Sequence, residues 1–398
     1  MSKVGKNNRS PGRGKRILSY LNTRIKVLLH NTIMLINLFF VILLLLSYLS
    51  TRISPQDLWI LPFFGLVYPL LLIINIIFIV YWALKRKLVL LYSLIAILLG
   101  YNHLSNTFQF RLSQKQPKDP DNTFTFLSYN VRLFNLWKWI DDPSVKNNIY
   151  EFLLSEDADI LCLQEYLFNT EDPYNNSRNF RRLHARHSHI EYSSSNGKDF
   201  NFGLATFSRY PIVNTGKIEF ANSSNLSIYT DIAINNDTIR IFNNHLQSVQ
   251  FTQENLNFLD SLGKHDNRRN IEGIKKVGSQ LRHAFIRRSR QVETIVRHIE
   301  QSPHPVIITG DFNDTPVSYT YRRLTHQDLD DAFVRSGTGI GSTYITPIPF
   351  LRIDYILHSR ELESFYFDSP RIILSDHYPL KCEFSFKRAD VQDRRSHR

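Results

Sequence analysis

The 398-residue sequence predicts an α+β domain of packed layers, preceded by an apolar N-terminal region that inserts into a membrane. Three apolar stretches lie before residue 109, and a polar linker with two prolines occupies residues 109–122. Residues 123–386 then alternate many short apolar runs with few long helical ones. Numerous short strands with few helices indicate a layered sandwich and not a doubly wound parallel sheet.

The N-terminal region begins with a basic segment, residues 1–27, which contains eight Lys or Arg and no Asp or Glu. Three membrane spans are expected at 28–49, 59–84 and 88–108, because a helix needs about 20 apolar residues to cross a bilayer. The third stretch is strongly apolar only as far as Leu99. No small-residue cleavage site follows the first span, which distinguishes it from a signal peptide.

Basic residues predict the orientation of these spans. The N-terminal segment and residues 85–87 ("KRK") are basic, whereas the loop between the first two spans carries only Arg52. Because Lys and Arg accumulate on the cytoplasmic side, the N-terminus and residues 85–87 are expected in the cytoplasm. A third crossing then places the domain outside the cytoplasm; if the third segment does not cross, the domain is cytoplasmic.

The domain, residues 123–386, is expected to contain two amphipathic helices, at 145–158 and at 284–301, where apolar residues recur at helical spacing. Residues 387–398 are charged and lack apolar anchors, which predicts a disordered basic tail. Strands are predicted at "TFTFLSYN", "DILCLQE", "GLATFS", "LSIYTDIAI", "TIRIFNNH", "PVIITGD", "RIDYIL" and "LKCEFSF".

Several functional classes are excluded by composition. Only Cys162 and Cys382 occur, both within apolar runs, so buried core positions are expected and a disulfide framework is excluded. The sequence also lacks a Cys/His cluster for zinc, a Walker A loop, a Gly-x-Ser-x-Gly elbow and the dinucleotide-binding glycine pattern.

The stretch "ITGDFNDTP", residues 308–316, ends an apolar strand in a carboxylate and an amide. Asp311 and Asn313 are two residues apart, so in an extended backbone they face the same side. A simple turn is the alternative, because Gly, Asp and Asn are the usual turn residues. The two interpretations differ in whether other strands end in the same way.

Other predicted strands do carry polar groups at or near their ends. A turn, a helix cap or a core histidine would explain any one of them, but an uncompensated buried acid is costly, and the set indicates a shared site. The remaining members of this set are Asn130, Glu165, His245, Asp354, Asp376 and His377.

These residue types suit metal-assisted phosphate chemistry. Oxygen ligands such as Glu165, Asn130 and either Asp311 or Asp376 fit Mg²⁺, with Mn²⁺ as a substitute. A histidine beside carboxylates can serve as a general acid or base near neutral pH. Asparagine and a second histidine can donate hydrogen bonds to phosphoryl oxygens.

The motifs "SYNVRLFN", "DILCLQEY", "NNHLQS", "ITGDFNDTP", "FLRIDYIL" and "SDHYPL" occur in the order and spacing of the endonuclease/exonuclease/phosphatase superfamily. The chain therefore resembles this DNase-like group, and with its apolar segments it resembles the membrane-anchored bacterial members. The resemblance implies a four-layered α/β sandwich and metal-dependent phosphoester hydrolysis. The expected location is the bacterial inner membrane, with several spans, and the positive-inside rule with a third crossing places the catalytic domain on the periplasmic side.

Roles follow from the resemblance position by position. Glu165 would hold Mg²⁺, assisted by Asn130, and Asp376 would bind metal or support the site. Asp311 would orient or deprotonate the attacking water, and Asn313 would contact the phosphate. His377 would act at the phosphoryl centre with Asp354 fixing its tautomer, and His245 would stabilise the phosphoryl charge. Asn130 and His245 would also face the phosphate.

One position departs from the superfamily pattern. Many nuclease members carry a further polar or acidic residue two places after the asparagine of the first motif, where this chain has Arg132. This difference bears on how the metal is bound and on whether the protein acts in DNA repair.

The substrate stays open at this point. Residues 264–297 hold ten Lys or Arg against three acids and read either as a solvated helical face or as a surface for an anionic partner, nucleic acid or lipid. With the net charge of +12, this stretch favours nuclease-like phosphodiester hydrolysis. The membrane anchor favours a lipid or head-group phosphodiesterase or phosphatase, of sphingomyelinase or inositol phosphatase type. A non-catalytic membrane-bound module is the third hypothesis, and no obligate protein partner is inferred.

Overall fold

A computed structural model of the chain describes residues 13–111, 113, 115–168, 187–195, 201–221, 223–249, 267–345 and 350–387. The basic segment before residue 13 and the tail after residue 387 lie outside the described residues, as do residues 264–266 of the basic stretch. The chain divides into two compact units, one formed by Met1–Leu46 with Val67–Gly100, the other by Ser47–Leu66 with Tyr101–Arg398. The domain boundaries expected from the sequence stay a prediction.

Helices and strands are numbered along the described part of the chain. The helices are α1 (Arg13–Leu49), α2 (Leu61–Leu66), α3 (Tyr68–Leu84), α4 (Leu90–Leu99), α5 (Tyr101–Thr107), α6 (Val145–Glu156), α7 (Asn267–Glu300), α8 (Tyr319–Thr325) and α9 (Ala332–Ser336). The strands are β1 (Phe108–Gln109), β2 (Thr123–Asn130), β3 (Ile160–Phe168), β4 (His187–Ser195), β5 (Asn201–Ser208), β6 (Ile212–Glu219), β7 (Leu226–Ile234), β8 (Asp237–His245), β9 (Val306–Asp311), β10 (Leu329–Asp331), β11 (Gly339–Ile340), β12 (Asp354–Ser359), β13 (Leu362–Asp368) and β14 (Leu380–Phe386).

The apolar N-terminal region is helical, but its helices differ from the three predicted spans. Among the described residues, one segment, Ser19–Leu49 of α1, is long and apolar enough to cross a bilayer. The second apolar stretch is divided at Val67, two residues before Pro69, whose missing N–H cannot continue the preceding helix. The third ends at Leu99, and a separate short helix follows Gly100. Three crossings therefore remain a proposal.

A buried polar network joins α1, α3 and α4 in the first unit. Trp82 Nε1 donates to Asn37 Oδ1 at 3.0 Å, and Asn37 Nδ2 donates to Ser93 Oγ at 2.7 Å. Ser93 Oγ in turn donates to Asn75 Oδ1 at 2.8 Å. Because these side chains are buried among apolar helices, each lost hydrogen bond would leave a costly unpaired group. The network therefore favours one register of the three helices.

The second unit contains an α/β sandwich built on two six-stranded sheets. Sheet 1 has the strand order β13-β14-β2-β3-β5-β4, and sheet 2 has the order β10-β12-β9-β8-β7-β6. Each sheet contains a parallel pair, β2 with β3 and β8 with β9. Parallel strands need a crossover connection, and α6 and α7 lie in these two connections.

Apolar cores separate four layers. Phe126, Cys162, Ile241 and their neighbours fill the space between the sheets. Ile149 and Leu153 of α6 pack on sheet 1 in a second cluster, and α7 and α8 pack on sheet 2 in a third. The predicted layered sandwich is confirmed, and both cysteines are buried as expected.

Most predicted elements are present, with two kinds of difference. The sequence predicts the second helix at 284–301, but α7 extends over Asn267–Glu300. Its described residues before Ala284 are not buried, so a pattern based on burial detects only the half that covers the sheet. Strands β4, β6 and β13 are not predicted, because polar and charged residues interrupt their apolar alternation. Strands β1, β10 and β11 are not predicted either, because each has only two or three residues.

Candidate active site

Strand register brings three of the predicted site residues side by side in sheet 2. His245 of β8 is the register partner of Asp311 of β9, which is also the partner of Asp354 of β12. Residues in register across neighbouring strands point to the same face of a sheet. Two acids and a histidine therefore project together at one end of sheet 2.

Sheet 1 supplies two further residues. Asn130 is the last residue of β2, and its register partner in β3 is Gln164, the residue before Glu165. The pairing of β3 with β5 shifts between Gln164 and Tyr166, which makes Glu165 a bulge residue with a φ of +49°. A bulge redirects one side chain out of the alternation of its strand. Glu165 turns towards the site, while Gln164 stays buried and donates to Asn243 Oδ1 of sheet 2 at 2.7 Å.

Asp311 lies at the centre of the group and is only 2% exposed. The preceding Gly310 has a φ of +120°, and a Cβ there would lie 2.0 Å from the carbonyl oxygen of Asn244. Asn130 Nδ2 donates to Asp311 Oδ2 at 3.1 Å and to Glu165 Oε1 at 3.4 Å. One amide therefore links the carboxylates of the two sheets.

Asn313 holds Asp311 from another side. Its backbone N–H donates to Asp311 Oδ1 at 2.8 Å, and its Nδ2 donates to Asp311 Oδ2 at 3.0 Å. The same Nδ2 donates to the carbonyl oxygen of Leu246 at 3.1 Å. Because both hydrogens of this amide are engaged within the protein, Asn313 positions Asp311 in this structure. Its contact with phosphate stays a prediction.

His377 and Asp354 form a hydrogen-bonded pair. His377 Nδ1 donates to Asp354 Oδ2 at 2.9 Å, whereas Nε2 lies 3.7 Å from Asp311 Oδ2 and 3.9 Å from Asp376 Oδ1. Asp354 therefore fixes the orientation of the ring and its tautomer. Nε2 is the nitrogen left to act at the site.

A second histidine faces the two carboxylates from sheet 2. His245 Nε2 lies 3.7 Å from Glu165 Oε1 and 3.8 Å from Asp311 Oδ2. The side chains of His245 and Glu165 are 22% and 26% exposed. These two residues therefore form the solvent-facing side of the site, in contrast to buried Asp311.

Asp376 is paired with the arginine that departs from the superfamily pattern. Arg132 Nη1 lies 2.8 Å from Asp376 Oδ2, and the Arg132 guanidinium carbon lies 3.8 Å from the centre of the Trp139 ring. Residues 132–135 all have positive φ, a left-handed turn that is unfavourable for residues with side chains. Arg132 and Asp376 thus form an ion pair beside the site.

Burial and crowding shift the acid–base behaviour of the group. Burial raises the pKa of Asp311 to about 6, with His377 opposing this shift and Asp354 adding to it. Burial also raises the pKa of Glu165, and the charge of Asp376 acts in the same direction. Burial alone would lower the pKa of His377, but Asp354, Asp311 and Asp376 together raise it well above its usual value. Burial lowers the pKa of His245, against the attraction of Asp311.

The donor set fits a hard divalent cation. Ligand atoms of Asp311, Asp354 and His377 all lie within 4.8 Å of one another, but the His377–Asp354 hydrogen bond would have to break before both could bind metal. Glu165 and Asn130 are the alternative ligands. The Asn130 amide oxygen accepts from the Arg132 N–H at 3.0 Å and would turn away from it to reach a metal. Crowded carboxylates with raised pKa values are the environment that a cation relieves.

Contacts below 4 Å thus link all eight predicted site residues into one group, which we call the polar cluster: Asn130, Glu165, His245, Asp311, Asn313, Asp354, Asp376 and His377.

Two residues that support the polar cluster were not predicted. Ser375 Oγ donates to the carbonyl oxygen of Asn130 at 2.8 Å and ties the segment between β13 and β14 to the end of β2. The ring of Tyr344 packs edge-on against His377, with 5.1 Å between the ring centres. Ser375 stands next to a predicted motif residue, whereas nothing in the sequence marks Tyr344.

A cleft of about 220 Å³ opens beside Glu165 and His245. Its apolar lining includes Leu133 and Phe202, and its polar lining includes Asn225. The lining residues within the described ranges include no Lys or Arg. The cleft offers room for part of a substrate next to the carboxylates.

Comparisons with known proteins identify families over two parts of the chain. A family model described as the endonuclease/exonuclease/phosphatase family matches residues 127–377, and another, described as a domain of unknown function (DUF8431), matches residues 30–107. No curated protein matches the sequence significantly.

Solved structures with a similar fold have low sequence identity to the chain. An endonuclease/exonuclease/phosphatase from Beutenbergia cavernae is 14% identical, with a TM-score of 0.50 over 68% of this chain and 73% of that one. The human Nocturnin catalytic domain is 18% identical, with a TM-score of 0.48 over 69% and 97%. A mannosyl-6-phosphatase from Bacteroides thetaiotaomicron is 17% identical, with a TM-score of 0.47 over 66% and 100%.

Proposed function

Since the chain belongs to the endonuclease/exonuclease/phosphatase family, whose members hydrolyse phosphoester bonds, we propose that it is a membrane-anchored, divalent-metal-dependent phosphodiesterase. One observation carries the proposal. Buried Asp311 lies between His245 and the His377–Asp354 pair, and the Asn130 amide links it to Glu165. A buried acid beside two histidines and an oxygen-rich ligand set suits metal-assisted phosphoester hydrolysis.

Glu165 and Asn130 would hold Mg²⁺, or Mn²⁺ in its place, with Asp376 supporting the site. When bound, the metal supplies positive charge to the phosphoryl oxygens. The partial exposure of Glu165 supports this assignment, because a ligand that shares its metal with substrate must face the solvent side.

Asp311 would orient the attacking water and accept its proton. With a pKa of about 6, this carboxylate is mostly ionised at neutral pH and more basic than an ordinary aspartate. Three N–H groups, one from Asn130 and two from Asn313, donate to its oxygens and keep it oriented.

The two histidines would act on the phosphoryl group from either side of Asp311. Nε2 of His377, oriented through Nδ1 by Asp354, would donate to a phosphoryl or leaving-group oxygen. His245 would donate to a second oxygen from the exposed side. Asn313 would contact the phosphate only after releasing Leu246 or Asp311.

Nucleic acid is the first substrate class proposed, because the net charge is +12 and residues 264–297 are strongly basic. A lipid or head-group phosphoester is the second, because residues 19–49 form an apolar helix long enough to anchor the enzyme at a bilayer. Anchoring in the bacterial inner membrane with the domain in the periplasm is part of the same proposal.

The test is hydrolysis by the full-length protein in detergent micelles, with Mg²⁺ and with EDTA. Plasmid DNA, RNA, sphingomyelin and inositol phosphates are assayed in parallel. Glu165→Gln removes the proposed metal ligand, and Glu219→Gln, a largely exposed carboxylate on β6, is the matched control. Metal-dependent turnover that only Glu165→Gln abolishes supports the proposal. Turnover that persists in EDTA, or that Glu165→Gln leaves unchanged, contradicts it.

A further inference from the structure

The segment between α1 and α3 packs on helix α7 within the second unit. The rings of Phe63 and Phe285 meet edge-on with 5.3 Å between centres, and the Arg282 guanidinium lies 4.7 Å from the centre of the Trp59 ring. Arg290 Nε also donates to Gln56 Oε1 at 3.1 Å. One side of α7 is therefore fixed against residues 56–63.

That side of α7 continues beyond this contact towards the helix N-terminus. At about 100° per residue, Ile271, Ile274 and Lys275 lie on the same face as Arg282 and Phe285. Ile271 and Ile274 are 52% and 56% exposed, although they are large and apolar. Lys275 and Arg282 are exposed as well. The strip combines apolar and basic side chains, and because Ile274 and buried Val292 are five whole turns apart, it continues the sheet-facing side of α7 beyond the part that packs on sheet 2. We call this exposed continuation the α7 outer face.

The segment that contacts α7 adds exposed apolar residues of its own. Leu58, Trp59 and Ile60 are 41%, 39% and 42% exposed. Leu66 ends α2 and is separated from the apolar helix α3 by the single residue Val67. Covalent continuity alone therefore keeps residues 58–66 close to the point where the chain enters the proposed membrane region. Tryptophan is also the residue type enriched at that boundary.

We propose that the α7 outer face, with residues 58–60 beside it, lies on the surface of a bilayer that contains anionic phospholipid. Isoleucines enter the boundary between head groups and acyl chains, while lysine and arginine pair with the head-group phosphates. This inference rests on the proposed membrane anchoring. It assigns this part of the basic stretch to lipid, and it leaves the substrate of the polar cluster as proposed above.

The experiment places a fluorescent probe on each side of α7 in the full-length protein. Ile274→Cys carries an environment-sensitive dye on the α7 outer face. His283→Cys is the matched control, because nine residues of helix turn it about 180° away and His283 is exposed. Native Cys162 and Cys382 are buried, so the introduced thiols are labelled selectively. Unchanged thermal unfolding confirms that both labelled proteins are folded.

Each labelled protein is reconstituted in phosphatidylcholine vesicles with and without phosphatidylglycerol, and a quencher attached to the lipid is added. We expect a blue-shifted probe at residue 274, quenched at least about twofold more strongly than the probe at residue 283. The difference should grow with phosphatidylglycerol and shrink with added salt.

Three results would overturn the inference. If the protein resists carbonate extraction but both probes are equally exposed to water, the membrane anchoring is supported and the placement of the α7 outer face on the bilayer is contradicted. If carbonate releases the protein from the vesicles, the anchoring and the inference fail together. If an RNA or DNA oligonucleotide shifts the probe at residue 274 while lipid does not, the α7 outer face is a nucleic-acid surface.

Discussion

At the residue scale, the polar cluster concentrates negative charge that the folded chain alone does not fully balance. Among the described residues, Glu165, Asp311, Asp354 and Asp376 converge, while Arg132 pairs with Asp376 and His377 pairs with Asp354. Burial makes ionised Glu165 and Asp311 costly, as their raised pKa values indicate. A cation at this point would offset that cost.

Replacing Glu165 by Gln should therefore stabilise the metal-free protein. The folded-state pKa of Glu165 is raised, so ionising this carboxyl at neutral pH costs more in the folded than in the unfolded chain. We expect a midpoint of thermal unfolding in EDTA that is higher by a few degrees at pH 7.5. The gain should shrink as pH falls, because wild-type Glu165 then binds a proton. A lower midpoint for Glu165→Gln than for wild type would contradict this account.

Asp354→Asn tests the orientation of His377. Asparagine replaces the charged acceptor of Nδ1–H by an amide, which can present an N–H to the ring as well as an oxygen, and it removes part of the attraction that, with Asp311 and Asp376, raises the pKa of His377. We expect turnover to fall by about 10²-fold or more. Because the protonated form would then be lost at lower pH, the alkaline limb of the pH–rate profile should move to lower pH.

The control for this variant is Asp328→Asn, whose carboxylate is largely exposed and pairs with Arg360 at the surface. It should leave both turnover and the pH–rate profile unchanged. Equal activity of Asp354→Asn and Asp328→Asn would show that Asp354 has no role in turnover.

At the element scale, two backbone features orient acidic side chains of the polar cluster. The bulge at Glu165 departs from the alternation of β3, and the positive φ of Gly310 precedes Asp311 at the end of β9. The bulge residue is Glu165 itself, and Gly310 directly precedes Asp311. Backbone strain of this kind is retained where the surrounding strands hold it in place.

Gly310→Ala should destabilise the fold by about 2 kcal/mol or more, because the φ of +120° disfavours a side chain and the added Cβ would meet the Asn244 carbonyl oxygen at 2.0 Å. Gly278→Ala is the matched control. Gly278 lies within α7 with open space around its Cβ position, so alanine should stabilise the helix by about 0.5–1 kcal/mol. Urea unfolding measures both values, and equal stability of the two variants would show that Gly310 is not constrained.

Sequence patterns predict elements well where one face of a strand or helix is buried. The limits of strands β2 and β7 match the predicted ones, because buried apolar residues recur along both strands. The exposed half of α7 and strand β6 carry no such pattern. The bulge at Glu165 could not be predicted either, because it depends on how β3 pairs with β5.

At the scale of the whole molecule, strand-end polarity predicts which residues meet but not how they are paired. The polar cluster follows from apolar strands ending in Asn130, His245 and Asp311. The Arg132–Asp376 ion pair depends on the left-handed turn after β2, which no motif indicates. The inward hydrogen bonds of Asn313 depend on its own positive φ.

The composition of the second unit bears on membrane topology. Residues 47–66 and residues 101–398 belong to one compact unit, although α3 and α4 lie between them in sequence. If the α3–α4 segment inserts into a bilayer, as proposed, we expect both of its ends on the same side. A crossing by α3 would then require the chain to return through the bilayer after residues 85–87, which agrees with the cytoplasmic placement that the positive-inside rule predicts for those residues.

Thiol labelling in intact vesicles tests this topology. Cysteine introduced at Asp57 and at Asp328, both exposed, should react with a membrane-impermeant maleimide from the same side. Cysteine introduced at Arg86 should react only from the opposite side. Reaction of all three from one side would show that α3 and α4 do not cross.

The central claim, that the polar cluster is a metal-dependent phosphodiesterase site, is tested most directly by titrating Mg²⁺ into the full-length protein while following hydrolysis of a generic phosphodiester. Saturable activation is predicted for wild type and for Glu219→Gln, and a loss of about 10²-fold or more for Glu165→Gln at saturating Mg²⁺. Activity independent of Mg²⁺, or equal activation of wild type and Glu165→Gln, would contradict the claim.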